Sequence, residues 1–452
     1  MTNAPLSLVR AEVTKVLGEY DHSITFRNND DFVIIYGPNG VGKTRFLEVI
    51  DALSRMEGSK LTSMPFGEAT LTYSDSSTLS VKTVEQDSQP SSKSTFFKRQ
   101  LLFTLRRPDA ADDEWHYMGG DFENWLVETT PWRPIGDDLW EDRRDGEVAS
   151  LAGLENRYPE GGGTKKSRIP PAFLDFRTSS ASYLIETQRL RIEQERPQRV
   201  NQWRVNHQER SRSSQITEHA SKMRTLVNDA QTEHSTITQQ LDRTFPNRIL
   251  SESTADKDAD GIRRRYEEQN EFRSRLGRVV SVALADALSL PDRTLEDWEV
   301  RLLNLYLDDA DDKLAPFETL LLKIELLEAI INSRLLNKKL QITARDGLTV
   351  LHTPDGRIID LDSLSSGEQH EIILMFDLLF NVPSGATVLI DEPEISLHVV
   401  WQLAFIPDVQ RIAALAGFRF VVATHSPQII NDQWDRAIRL GPLRLPFSER
   451  SA

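Results

Sequence analysis

The sequence predicts an α/β protein whose central sheet carries a phosphate-binding loop, with a helical insert dividing that sheet into two stretches of chain. Three observations carry this. "FVIIYGPNGVGKTRF" passes from an apolar strand through G-x-x-x-x-G-K-[ST] into helical spacing. Two further buried-strand runs, "ATVLIDE" and "FRFVVAT", stand near the C-terminus. Between the phosphate loop and these two runs, apolar residues recur every seven positions at Ile216, Met223, Ala230 and Ile237, with a second set at Ala220, Val227, His234 and Leu241.

Composition sets the outer bounds. The chain has 452 residues, 39% hydrophobic and 27% charged, enough for two to four units with real cores. It contains no cysteine, which excludes disulfides, thiolate metal sites and a cysteine nucleophile. No window approaches 18 consecutive apolar residues, and "MTNAPLSLVRAEV" lacks the regions of a signal peptide. A soluble cytoplasmic protein without a membrane partner is the expectation. The net charge of -15 gives the surface as a whole no attraction for nucleic acid.

In chain order, Val9 to Phe32 alternates as two strands turning near Gly18 and Glu19. After the phosphate loop, Phe46, Leu47, Val49, Ile50 and Leu53 are spaced as a helix. "ATLTYS", "LSVKTV" and "QLLFTL" read as antiparallel strands. Ala110 to Ser167 reads as acidic and loop-rich; Asp109 to Gly146 is about nine charges net negative and holds four of the eight Trp. "SYLIETQRL" is a short strand reaching Thr187 and Gln188. The heptads predict a helical hairpin with arms of roughly 45 Å, or equally two amphipathic helices on a globular lobe. "FPNRIL", "DKDADG" and "LDDADDKLAP" are expected to break helices. "LQITARDGLTVLHTPDGRIIDL" returns to strands with Asp-Gly turns. These readings divide the chain into 1–188 (with an acidic insert at about 109–167), a helical insert 189–340, and 341–452.

The chemistry gathers in five places. In the loop Gly37, Pro38, Asn39, Gly40, Val41, Gly42, Lys43 and Thr44, the glycines let amides wrap phosphates, Lys43 reaches the β- and γ-phosphates, and Thr44 ligates Mg²⁺. In "TVLIDEPE", Asp391 ends a buried strand where it can hold the Mg²⁺ shell, and Glu392 can polarise an attacking water. In "LSSGEQHEI", Ser365, Ser366, Gly367 and Glu368 open a helix that can receive a γ-phosphate; Ser365 with Glu368 also reads as a plain capping box. His425 in "VVATHSP" follows a buried strand, 34 positions beyond Asp391. Gln188, Gln86 and Gln100 stand between the loop and "LSSGEQHEI", and Gln188 ends an apolar strand before the insert; the family resemblance below makes Gln188 the candidate for bridging Mg²⁺ and the attacking water.

This order resembles the head of an ABC-type ATPase: a P-loop NTPase with a mixed sheet, an antiparallel β subdomain and a helical, partly coiled-coil insert. "LSSGEQ" resembles the LSGGQ signature, with Ser366 in place of its second glycine, and the usual D-loop Asp is replaced within "EISLH" by Ser396 and His398. The helical arms point to the SMC, Rad50 and RecF branch. "YLIETQRL", "IIDLDSLSSGEQHEIIL" and "LIDEPEISLH" resemble overcoming-lysogenisation-defect-related bacterial defence ATPases of the Septu and PARIS type. The resemblance implies ATP and Mg²⁺ as cofactors, a homodimer or higher homo-oligomer closing over ATP, and a separate effector, expected to be a nuclease. A built-in nuclease would follow His425, where 27 residues remain, so none is expected in this chain. Two alternatives stand beside it. One is a DNA-clamping repair ATPase using Arg263, Arg264, Arg265, Arg273, Arg275 and Arg278, a run that equally reads as a solvated face interleaved with Glu267, Glu268 and Glu271. The other is an ATP-dependent assembly scaffold with little turnover.

Overall fold

A computed structural model describes residues 6–27, 31–84, 100–108, 110–118, 120–135, 139–158, 169–186, 215–251, 259–280, 290–395 and 397–442. It comprises two compact units, Met1–Glu195 with Val382–Ala452, and Arg196–Asn381.

The first unit is built on a five-stranded sheet in the order Ser182–Glu186, Thr387–Asp391, Arg419–Thr424, Phe32–Tyr36, Ala437–Arg439. Every neighbouring pair is parallel. Strands covered on both faces read as unbroken apolar runs, and all five residues of Thr387–Asp391 are buried. A second sheet is antiparallel throughout, in the order Tyr20–Thr25, Leu8–Val16, Glu68–Tyr73, Thr78–Val84, Gln100–Arg106, Asp113–Met118. The helix Lys43–Ser54 lies against strands of both sheets. That position explains why ten of its twelve residues are buried, Glu48 and Asp51 among them. Phe46, Val49, Ile50 and Leu53 join Leu71, Val81, Phe103 and Trp115 in one core.

The acidic segment is not the loop-rich stretch its composition suggests. After Asp113–Met118 come a helix, Asp121–Thr129, three antiparallel strands (Trp132–Pro134, Leu139–Asp142, Val148–Ser150) and a helix, Leu151–Arg157. Phe122, Leu126, Trp132, Trp140, Leu151 and Leu154 form its own core. Trp132 donates its indole N–H to the Tyr158 hydroxyl at 3.2 Å, and Arg157 lies 5.7 Å over its ring. Trp132 and Trp140 are interior filling, and Asp142 is buried with them, bonded to Arg144.

The helix Val399–Ala416 is long and apolar enough by composition to cross a membrane, with a mean hydropathy of 1.2. Phe405, Ile406, Val409, Ile412 and Ala413 are nevertheless buried within the unit, as in a core helix.

The second unit contains three long helices, Gln215–Ser251, Ala259–Val279 and Asp297–Asn332. The first two each pack on the third, so the expected two-arm hairpin is a three-helix arrangement. Ile216, Ala220, Met223, Val227 and Ala230 are buried as the heptads require. His234, the irregular position, hydrogen-bonds the Lys313 carbonyl at 2.6 Å and meets the Phe317 ring.

Two of the expected breakers end no helix: Pro246 and Pro316 lie inside the first and third. Of "DKDADG", the first three residues lie outside the described residues and the rest opens the second helix. Ion pairs link these elements. Arg248 makes a two-pronged pair with Asp309 at 2.5 and 2.6 Å. Lys313 pairs with Asp242 at 2.7 Å. Arg265 binds Asp308 and Asp311 at 2.8 and 2.7 Å. The acidic stretch that reads as a helix break thus supplies partners for its neighbours.

The arginine run is largely committed in the same way. Arg275 pairs with Glu325 and Arg278 with Glu328, at 2.6 and 2.7 Å. Arg273 lies over the Tyr306 ring, and Arg263 donates to the Arg293 carbonyl. Three strands, Lys338–Thr343, Gly347–His352 and Ile358–Ile359, precede the helix Ser366–Phe376.

Trp132 is fully buried, so Trp132→Ala should remove about 3–5 kcal/mol from the aromatic module. Trp298, 55% exposed, provides the control: Trp298→Ala should cost under about 1 kcal/mol. Urea unfolding of the two variants checks the difference; equal, small costs would mean that the acidic segment has no packed core.

Candidate nucleotide site

In a parallel sheet the carboxyl ends of all strands emerge at one edge, where ligands bind in open α/β folds. The register here pairs Glu186 with Asp391, Asp391 with Ala423, and Thr424 with Tyr36. The strand ends therefore deliver Glu186, Asp391 with Glu392, His425 and the loop from Gly37 to a common edge. A cavity of 330 Å³ opens there, lined by Gly40, Lys43, Thr44, Glu48, Glu392 and His425, with other residues.

The loop is shaped for an anion. Gly40 and Gly42 have φ of +84° and +86°, a region costly for other residues. A Cβ on Gly40 would meet nothing within 4 Å, so the backbone is open to close approach. Gly42 caps the helix Lys43–Ser54 without any side-chain hydrogen bond, and the first turn holds no acid. Its leading amides and the positive helix end suit a phosphate.

Lys43 is buried, and its ammonium donates to the Gly37 carbonyl at 3.2 Å and to the His425 ring. Burial pulls the Lys43 pKa down, while Glu392, Asp391 and Glu394 pull it back up. Burial first, then the Lys43 charge, holds His425 below the usual imidazole range. A neutral ring can accept from Lys43. His425 Nε2 also lies 3.4 Å from Glu392 Oε1. Glu392 has a φ of +47°, a strained conformation for a non-glycine residue, and its amide donates to Ala423 at 2.8 Å.

Asp391 is 4% exposed. Burial, together with the nearby charges of Glu392, Glu186 and Glu48, pushes it up to about 6, against a hydrogen bond from Thr44 that works the other way. Several carboxylates beside a hydroxyl, with Asp391 held reluctantly charged, fit the hard oxygen donor set that Mg²⁺ requires. Thr44 and Asp391 would hold the ion, whose charge would neutralise the phosphate oxygens.

The first unit thus brings Gly37 to Thr44, Asp391, Glu392 and His425 together. The signature residues belong to the second unit. There Ser365 caps Ser366–Phe376 in a complete capping box with Glu368. Glu368 also receives Lys338 on both oxygens at 2.8 Å, and Gly367 lies in the first turn. Arg334 and Glu371 form a buried ion pair behind this helix. Gln188, Gln86 and Ser396 lie outside the described residues, whereas Gln100 begins an antiparallel strand. His398 caps the helix Val399–Ala416, its ring accepting from Val400 N at 3.4 Å.

Sequence reading missed Glu48, Glu186 and Glu394. Glu48 stands one helical turn after Thr44, which is a usable signal. Glu186 is visible only once its strand is registered against Asp391.

A protein family described as "AAA domain, putative AbiEii toxin, Type IV TA system" matches residues 32–431, and the chain belongs to it. Among solved structures, the SMC head domain from Thermotoga maritima is similar at 12% identity and a TM-score of 0.33, covering 97% of this chain and 100% of that one. The Smc head domain with an extended coiled coil, bound to the C-terminal domain of ScpA and derived from Pyrococcus furiosus, gives 12% identity and a TM-score of 0.34, covering 94% and 91%. No curated protein matches. Strand order, phosphate loop and inserted helices give the chain the fold of a P-loop ATPase head with a helical insert.

The raised Asp391 pKa has a pH signature in metal-free protein. An acid with a folded pKa of about 6 favours folding below its unfolded pKa of about 3.9. That contribution is lost as pH rises through 6. Asp391→Asn should therefore be more stable than the native chain at pH 8, by on the order of 2 kcal/mol, and the gap should close towards pH 4. Thermal melts in EDTA across this range check it; a gap independent of pH would remove the titration of Asp391 as its cause.

Proposed function

Taking the chain as a member of that AAA family, we propose that it binds and hydrolyses ATP as the regulatory ATPase subunit of a bacterial anti-phage defence system. In this reading two copies close over ATP, and their closure controls a separate effector, a nuclease. The observation that carries the ATPase part is the gathering of Lys43, Thr44, Asp391, Glu392 and His425 at one sheet edge. Lys43 and the loop amides would hold the phosphates. Glu392 would take a proton from water, and His425 would sense the terminal phosphate. The resemblance of "LSSGEQ" to the ABC signature supports a shared site, in which the signature of one copy completes the site of the other.

The family description refers to a toxin and a Type IV TA system; the defence reading takes its support from that and from the sequence resemblance. A DNA-clamping role draws less support, since Arg265, Arg275 and Arg278 are already paired with carboxylates.

Glu392→Gln should leave ATP bound but not hydrolysed, and sedimentation should show a dimer only with ATP and Mg²⁺. A variant that stays monomeric with ATP bound would overturn the shared site. Lys43→Ala should weaken ATP binding at least about a hundredfold; unchanged affinity in titration calorimetry would remove Lys43 from the site. Pull-down of a nuclease encoded by an adjacent gene, released or activated on ATP addition, checks the effector.

A further inference from the structure

His425 sits on a loop that two side chains from the segment after Glu392 hold from the same side. Glu394, in the short turn Pro393–Ile395, accepts the backbone N–H of His425 on Oε1 at 2.5 Å. Eight residues later, Gln402 accepts the Ser426 hydroxyl at 2.7 Å. Gln402 is itself 7% exposed, and its amide donates back to the Leu397 carbonyl at 3.2 Å. Ser426 is fixed in addition by its own N–H to Thr424 Oγ1 at 2.9 Å and by capping the helix Pro427–Ile430. The loop bearing the histidine is thus tied at successive residues, His425 to the turn that follows Glu392 and Ser426 to the helix Val399–Ala416.

We propose that Glu394 and Gln402 are positioning residues: together they clamp the His425 loop so that the imidazole faces both Lys43 and Glu392. The clamp acts on the backbone, so it fixes where the ring stands without touching substrate. A charged acceptor on a peptide N–H is a strong hydrogen bond, worth roughly twice a neutral one, and Glu394 supplies it where the chain leaves a buried strand for solvent. A carboxylate is not required for shape alone: glutamine at 394 keeps an oxygen acceptor of the same length. Without the clamp, His425 keeps its identity but loses its fixed distance to Glu392, and small misplacements of catalytic groups reduce rate more than affinity.

The proposal rests on the hydrolytic reading above, so its test has one arm that needs turnover and one that does not. In the full-length chain, Glu394→Ala should lower kcat for ATP about tenfold or more, with affinity for mant-ATP within about twofold. Glu394→Gln should recover most of that loss, and Gln402→Ala should lower kcat in the same sense as Glu394→Ala. Separately, in nucleotide-free protein with labelled histidine, Glu394→Ala should shift or broaden the imidazole signal assigned to His425 by His425→Gln. Glu394→Gln should leave that signal near its native position. An unaltered His425 signal in Glu394→Ala overturns the clamp whether or not the protein hydrolyses ATP. So does a Gln variant as impaired as the Ala variant, or a loss of mant-ATP binding equal to the loss of rate. If the native chain shows no turnover while the His425 signal responds as expected, the hydrolytic reading fails and the clamp stands.

Discussion

The site depends on one constraint, the parallel register of the strand Thr387–Asp391 between Ser182–Glu186 and Arg419–Thr424. A side chain at the end of a buried strand cannot be moved without shifting the alternation of the whole strand. Because Asp391 ends its strand, Glu392 leaves it in a left-handed conformation, pinned by its amide to Ala423. Because Thr424 ends the next strand, His425 emerges beside Glu392. The phosphate loop enters from Tyr36, paired with Thr424. Three segments far apart in sequence thereby meet through backbone pairing alone.

Electrostatics explains why this arrangement is poised rather than settled. Glu392, Asp391 and Glu394 act on the buried ammonium of Lys43, while Glu392, Glu186 and Glu48 act on Asp391. Lys43 is directed to a histidine and a carbonyl instead of to a carboxylate partner of its own. Burial makes the charged forms of both Lys43 and Asp391 costly, and a site in this state gains from any ligand that brings cation and anion together. A nucleotide with a divalent ion is such a ligand.

Much of this was legible in the sequence, for a physical reason. The phosphate loop, "TVLIDEPE" and "VVATHSP" are local patterns, in which a strand ends and the chemistry begins within a few residues. The antiparallel strands were legible by alternation. What could not be read depends on distant partners. Pro246 and Pro316 look like helix breaks until Arg248–Asp309 and Lys313–Asp242 are seen across the helices. The stretch holding Trp125, Trp132 and Trp140 looks like an acidic loop until these residues are found in a core with Phe122, Leu126 and Leu154. Glu394 looks like one more solvated acid in "DEPE" until its oxygen is found on the His425 amide.

Gly42 has a wider consequence. Most helices end on a side chain that satisfies their first amides, but the helix Lys43–Ser54 begins on a residue that has none to offer. Whatever anion occupies the loop becomes the cap that the sequence omits. The same helix lies against both the five-stranded and the six-stranded sheet, so order at its first turn is order at the centre of the unit. Ligand affinity and the local stability of this helix are then two readings of one free energy, and a bound anion would serve as part of the architecture.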